Sequence, residues 1–148
     1  MPNWCSNSLV ISTNTEVDRD KAREQLKEFR DKVKIVESEF MNNLYPMPKE
    51  LENTKAGFGS DKPNWYDWRC NNWGTKWDVD ACLEYDEEDV LEYSFDSAWS
   101  PPTNFIEKVS KDFPLLRFRL KYEEPGMCYM GVATSVNGNL DDQCISYD

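Results

Sequence analysis

The sequence predicts an α+β fold: an antiparallel sheet with its helices on one face. Three observations point there. Ala22, Leu26, Phe29 and Val33 form an apolar stripe at helical spacing behind a short buried strand. Two runs of period-two alternation flank the acidic stretch Asp86-Glu87-Glu88-Asp89. A second helix, framed by Pro101-Pro102 and Pro114, then leads into a further alternating strand. The chain has 148 residues, 39% hydrophobic and 30% charged, which is one domain's worth of globular sequence.

Each element follows from local pattern. In residues 3–12, Leu9-Val10-Ile11 reads as a buried strand bounded by Asn14. Thr15 is placed to cap a helix running from Glu16 to Lys34, with Asp18 three residues on as a weak capping-box partner. Residues 38–75 read as an insertion. In it Tyr45-Pro46-Met47-Pro48 is a rigid connector, Pro48 opens a short helix through Leu51, and Gly57, Gly59 and Pro63 mark a loop. Trp65, Trp68 and Asn72 then share one side of a short helix that Gly74 ends. Trp77, Val79, Ala81, Leu83 and Tyr85 alternate with polar residues, as do Leu91, Tyr93 and Phe95, so the two runs form a hairpin with one apolar and one acidic face. Phe105, Ile106 and Val109 are the apolar side of the second helix. Leu116, Phe118, Leu120 and Tyr122 alternate with Arg117, Arg119 and Lys121 in the next strand. Met127 to Ser135 is another strand, Asn137-Gly138 a hairpin turn, and a last strand runs to about Tyr147. The order is βαββαβ with an extra C-terminal strand, a ferredoxin-like arrangement in a single domain over residues 1–148.

Charge and cysteine content bound the function. A net charge of −11, from 28 acidic and 17 basic residues, opposes direct nucleic-acid binding, because Lys and Arg supply most non-specific affinity for phosphates. Cys5, Cys70, Cys82, Cys128 and Cys144 make an odd set without a CxxC pair, and no histidine is present, so neither a metal site nor a cofactor is expected. The start of the chain has no basic segment followed by an apolar one, and no window is long and apolar enough to span a membrane. These features predict a cytoplasmic protein with reduced thiols.

The chemistry-bearing residues concentrate in Trp73-Gly74-Thr75-Lys76-Trp77-Asp78 and Ser97-Ala98-Trp99-Ser100-Pro101-Pro102. Trp73, Trp77 and Trp99 offer ring faces, Lys76 a cation, and Thr75, Ser97 and Ser100 hydroxyls. With Asp78 they make a candidate ligand site, in which a nucleotide base stacks on an indole and Lys76 holds a phosphate. Packing gives a second reading: Trp73 and Trp77 close the core, Gly74 is a helix C-cap, and Ser100 caps the following helix. In that reading Trp4 lies in the core and Cys5 is inert. Arg117, Arg119 and Lys121 then pair across the sheet with the acidic residues of 78–84 and 92–96. As an enzyme the chain has only carboxylates to offer, with Asp78 beside Glu123 or Glu124 as the acid/base pair.

Several stretches carry a resemblance: Met1-Pro2-Asn3-Trp4-Cys5 with Asn7, then Tyr45-Pro46-Met47-Pro48 with Glu50-Leu51. After them come Trp73 to Asp78, Phe95 with Ala98-Trp99-Ser100-Pro101-Pro102, and Glu123-Glu124 ahead of Gly126 and Gly131. In these the chain resembles the YubB-type ferredoxin-like family of small phage- and plasmid-encoded proteins. The resemblance implies the fold and a setting among the accessory genes of mobile elements; it implies no reaction.

Together these readings predict a non-enzymatic binding protein acting in counter-defence. Its expected partner is a host defence protein with a basic nucleic-acid groove, met by an acidic surface at Asp86, Glu87, Glu88 and Asp89. The alternatives are sequestration of a nucleotide signal in the Trp/Lys/Ser site and a carboxylate-dependent hydrolase. Homodimerisation through the C-terminal strand edge is a further expectation.

Overall fold

A computed structural model describes residues 2–13, 18–55 and 62–147. Strand β1 spans Trp4–Thr13 and helix α1 Arg19–Lys32. After a 3-10 turn at Lys49–Leu51 come α2 at Trp65–Asn72, β2 at Cys82–Asp86 and β3 at Val90–Ala98. Helix α3 at Thr103–Asp112 precedes β4 at Leu116–Glu124, β5 at Tyr129–Val136 and β6 at Asn139–Ser146. The sheet is antiparallel in the order β2-β3-β1-β4-β5-β6. The four strands β2-β3-β1-β4 with α1 and α3 reproduce the ferredoxin-like βαββαβ order. Two strands, β5 and β6, extend the β4 edge; both match runs read from the sequence, Met127 to Ser135 and the last one to about Tyr147, although the expected order counted one extra strand.

One face of the sheet holds the core. Cys5, Leu9 and Ile11 of β1 point into it with Leu91, Tyr93 and Phe95 of β3 and Leu116, Phe118, Leu120 and Tyr122 of β4, all buried. The stripe Ala22, Leu26, Phe29 of α1 and the set Phe105, Ile106, Val109 of α3 close over them. Phe29 is the centre, with the rings of Phe40, Tyr93, Phe113 and Phe118 at 5.5–6.2 Å in tilted or edge-on contact. The helix expected from Glu16 begins at Arg19 with Asp18 as its cap residue; the Thr15 cap and the glycines at 57 and 59 lie outside the described residues.

Three local expectations are corrected. Residues 77–81 are not strand: β2 starts at Cys82, and Leu83 and Tyr85 stay 39% and 49% exposed. The cause is Asp78, whose Oδ1 accepts from the backbone N–H groups of Met41 and Val79 and whose Oδ2 accepts from that of Asn42. Those bonds pull the chain onto the insertion and away from the sheet. Trp4 is not in the core; it is 46% exposed and meets Trp77 at 6.0 Å between ring centroids. Ser100 does not cap α3, because its hydroxyl donates to the Gly74 carbonyl at 2.5 Å.

Candidate functional site

The two chemistry-bearing stretches meet at the end of α2. Asn64 starts that helix: its side chain accepts from Asp67 N–H at 2.9 Å while its amide donates to the Asp67 carboxylate at 2.8 Å. The N–H groups of Trp73 and Gly74 both donate to the Arg69 carbonyl, and Gly74 leaves the helix at φ +90°. A Cβ there would stand 3.2 Å from Pro101 O and 3.3 Å from Thr103 N, so glycine lets the end of α2 press against the start of α3. Thr75 is buried and donates to Ala98 O at 2.9 Å, which ties the loop to the end of β3.

The second stretch is held just as closely. Asn7 Nδ2 donates to Ser97 Oγ at 2.9 Å, and Ser97 Oγ donates to Ser100 O at 2.7 Å. Trp99 lies in the left-handed region at φ +68°, its N–H on Asn3 O and its carbonyl on Tyr129 OH at 2.7 Å. A bulky residue seldom adopts that conformation, and here it leaves the indole 44% exposed.

Between the stretches is a cleft of about 210 Å³, lined by Gly74, Thr75, Lys76, Ala98, Trp99 and Ser100, with Tyr66 and Cys70 from α2. Four of the expected site residues, Thr75, Lys76, Trp99 and Ser100, are therefore brought together. The hydroxyl protons of Thr75 and Ser100 go to backbone carbonyls, so what these groups can turn to a ligand is acceptor lone pairs. Lys76 Nζ lies 4.3 Å from the Trp77 ring centroid and has no ion pair among the described residues.

The other four are placed elsewhere. Trp73 is a core residue whose Nε1 donates to Tyr45 O at 2.9 Å. Trp77 lines a separate cleft of about 240 Å³ with Met47, Glu52, Trp65 and Arg69. Ser97 is buried behind the loop. Asp78 uses both oxygens on the insertion's amides, and burial pushes its pKa up against the lowering effect of those bonds. The proposed acid/base partner Glu124 is likewise engaged, accepting from the N–H groups of Gly126 and Met127.

Sequence reasoning missed Tyr66, Cys70 and Arg69. The Arg69 guanidinium lies between two indoles, 5.3 Å from the Trp65 centroid and 5.1 Å from that of Trp73. Its Nε is buried without a hydrogen-bond partner among the described residues, and desolvation lowers its pKa. The signal was present: Trp65, Arg69 and Trp73 recur every four residues, and so do Tyr66 and Cys70, which marks two ridges of one helix.

The acidic tip is tied to α1. Arg19 and Arg23 each grip Asp89 with two nitrogens, Arg23 also meets Glu88 at 3.3 Å, and Arg30 meets Asp86 at 2.8 Å. On the opposite face of the sheet, Arg117, Arg119 and Lys121 have no ion pair among the described residues. The expected pairing across the sheet fails because β1 lies between β4 and β3, so their lateral neighbours on that side are Ser12, Val10 and Ser8. That open face carries a shallow groove of about 690 Å³ whose lining includes Ser6, Ser8, Ser94, Lys121, Val132 and Ile145.

Fold and site thus define an α+β protein with a small cleft at a helix-to-loop junction and an uncovered sheet face. The chain belongs to the family described as "Ferredoxin-like domain in Api92-like protein", whose model matches residues 72–147. The crystal structure of the protein api92 from Yersinia pseudotuberculosis is similar in fold, with a TM-score of 0.58 and 11% identity over 100% of this chain and 99% of that one. Comparison with curated proteins gives no match. No helix among the described residues is long and apolar enough to cross a membrane.

Proposed function

We propose that this chain is a non-enzymatic binding protein that takes a nucleotide in the cleft between Gly74–Lys76 and Ala98–Ser100. The observation that supports it is the convergence of Thr75, Lys76, Trp99 and Ser100 on one cleft, with an ammonium that has no ion pair among the described residues. The exposed Trp99 ring offers a stacking face, Lys76 a phosphate contact, and the hydroxyl oxygens of Thr75 and Ser100 that line the cleft offer acceptors for an exocyclic amine. The cleft is below the usual size of a whole ligand pocket, so it holds one end of the molecule and leaves the rest at the surface. With the phage- and plasmid-encoded YubB-type proteins it resembles, we place the chain on a mobile element, in the host cytoplasm, sequestering a nucleotide signal of a defence system.

Blockade of a basic defence protein by Asp86–Asp89 is the weaker reading, since Asp86, Glu88 and Asp89 already meet arginines of α1 and leave chiefly Glu87 for a partner. A hydrolase is weaker still, because Asp78 and Glu124 both act as clamps on backbone amides.

Thermal-shift and calorimetric titration with linear and cyclic nucleotides tests the proposal. At least one nucleotide should raise the melting temperature. Trp99→Ala should weaken it about 5- to 100-fold, as expected for loss of one base-stacking contact, and Lys76→Ala should weaken it as well. Silence across the panel, or binding that both variants leave intact, sinks the cleft as the site.

A further inference from the structure

The open sheet face can be laid out as a grid from the strand register. Its middle column is Ser6, Ser8, Val10 and Ser12 of β1, with Trp4 next in register at one end, against Trp77. On one side stand Arg117, Arg119, Lys121 and Glu123 of β4, and on the other Val90, Glu92, Ser94 and Asp96 of β3. Outside these lie Met130, Val132, Thr134 and Val136 of β5 and, opposite, Cys82 and Tyr85 of β2. A column of mostly small residues thus separates a mainly basic column from one that carries two carboxylates, Glu92 and Asp96, at equal distance, while α1 and α3 pack on the opposite face.

We propose that this face is the interface of a homodimer, two copies packing open sheet to open sheet about a twofold axis that runs along β1. Rotation about that line exchanges the sides of the grid and keeps its rows. Arg119 of one copy then stands level with Glu92 of the other. Lys121 falls between the rows of Glu92 and Asp96, and Arg117 lies one row from Glu92. Arg119 thus meets a carboxylate of the second copy directly, and Arg117 and Lys121, without an ion pair among the described residues, each stand one row from one. The serines and Val10 face their own equivalents, which lets the sheets approach at the axis. Beyond them Val132 and Val136 pass over Cys82 and Tyr85, and the groove on this face is filled. One row opposes the arrangement: Glu123 is level with Asp96. Lys121 stands beside that row, and Tyr147 OH donates to Glu123 at 2.7 Å.

The size is adequate. Five strands at about 4.8 Å spacing and four rows along them give roughly 600 Å² in projection. Side-chain relief brings that towards the ~800 Å² per partner of a standard interface. A second copy fits better than a nucleic acid, whose phosphates would meet Glu92, Asp96, Glu123 and Asp141 along with the cations. A face with opposite charges set evenly about one strand is complementary to itself.

Sedimentation equilibrium of the full chain tests this. The wild type should be a dimer that dissociates with rising salt. R119E or E92R alone sets like charges level across the axis and should raise the dimer Kd about tenfold or more. The double variant R119E/E92R restores opposite charges and should recover the dimer. Far-UV circular dichroism and the melting temperature confirm that each variant folds. A wild type that stays monomeric, a dimer indifferent to both reversals (as pairing at the β6 edge would be), or single-variant losses the double variant fails to rescue would each overturn the proposal.

Discussion

Asp78 shows how much one carboxylate can organise. Its oxygens accept from Met41, Asn42 and Val79, so a single side chain fixes the turn after residue 40 and diverts residues 77–81 from the sheet. Burial alone would disfavour the charged form, and the three amides are what make it tolerable. Replacing it with asparagine removes the charge and sets an NH₂ group against at least one of those donors. Asp78→Asn should therefore cost about 2–3 kcal/mol, the range for losing charge-assisted hydrogen bonds and stranding a donor. Urea unfolding measures it, and a loss no larger than the roughly 0.5 kcal/mol of an ordinary surface change would show that the turn holds itself. The residue type was visible in the sequence beside Lys76, yet the bonds that tie it to the insertion were not, because Met41 and Asn42 lie more than thirty residues away. Trp4 misled for a related reason. An indole is apolar enough to suggest core, while its actual neighbour, Trp77, belongs to a loop whose path Asp78 sets.

Among the elements, those with an unbroken period were legible. The α1 stripe and the β4 alternation predict the buried sides of both, since a one-residue error would turn every side chain outward. The run from Trp77 to Tyr85 has the same period and fails over its first half. Alternation reports which side chains are sheltered; sheet membership needs a neighbouring strand with free backbone groups. Val79 is sheltered by the core without such a neighbour. The cleft was legible only as a set of residue types. Its assembly depends on the close approach of α2 and α3 at Gly74, and on Tyr66 and Cys70, which the short helix pattern did not single out. That approach can be tested. Alanine at Gly74 must hold φ +90° and place a Cβ against Pro101 O and Thr103 N, neither of which belongs to a flexible side chain. Gly74→Ala should lower stability by about 1–3 kcal/mol, the cost of strained backbone at a non-glycine residue. Thermal unfolding at unchanged helix content would show it, and an unaltered melting temperature would mean that the two helices have room to part.

Across the whole molecule, the −11 net charge is unevenly used: acidic groups are gripped by arginines at one end, while the cations of the open face have no ion pair among the described residues. Composition could not separate these regions, because pairing depends on which strand lies beside which. The tip and α1 are joined most firmly at Asp89, which accepts from Arg23, Arg19 and the Thr13 hydroxyl while its backbone carbonyl accepts from Thr13 N–H. The Arg23 guanidinium above all, with Arg19 and Thr13, holds the Asp89 pKa well below the ordinary carboxylate value of 3.8, against a smaller opposing effect of desolvation. A depressed folded-state pKa means that the unfolded chain takes up the proton first. The stabilisation is complete above the ordinary value and is lost as pH falls from there through the folded-state value. Asp78 works in the opposite sense. Its raised pKa favours the fold most at low pH, and that contribution disappears as pH rises through the raised value. Acid titration of stability should therefore show a fall below about pH 4 that Arg23→Gln makes shallower, because weakening the grip brings the two Asp89 values together. High salt should flatten the same slope in the wild type, since the cluster is partly exposed and its attraction is screened. If wild type and Arg23→Gln lose stability along parallel curves as pH drops, the Asp89 cluster does not join the hairpin tip to α1 in solution.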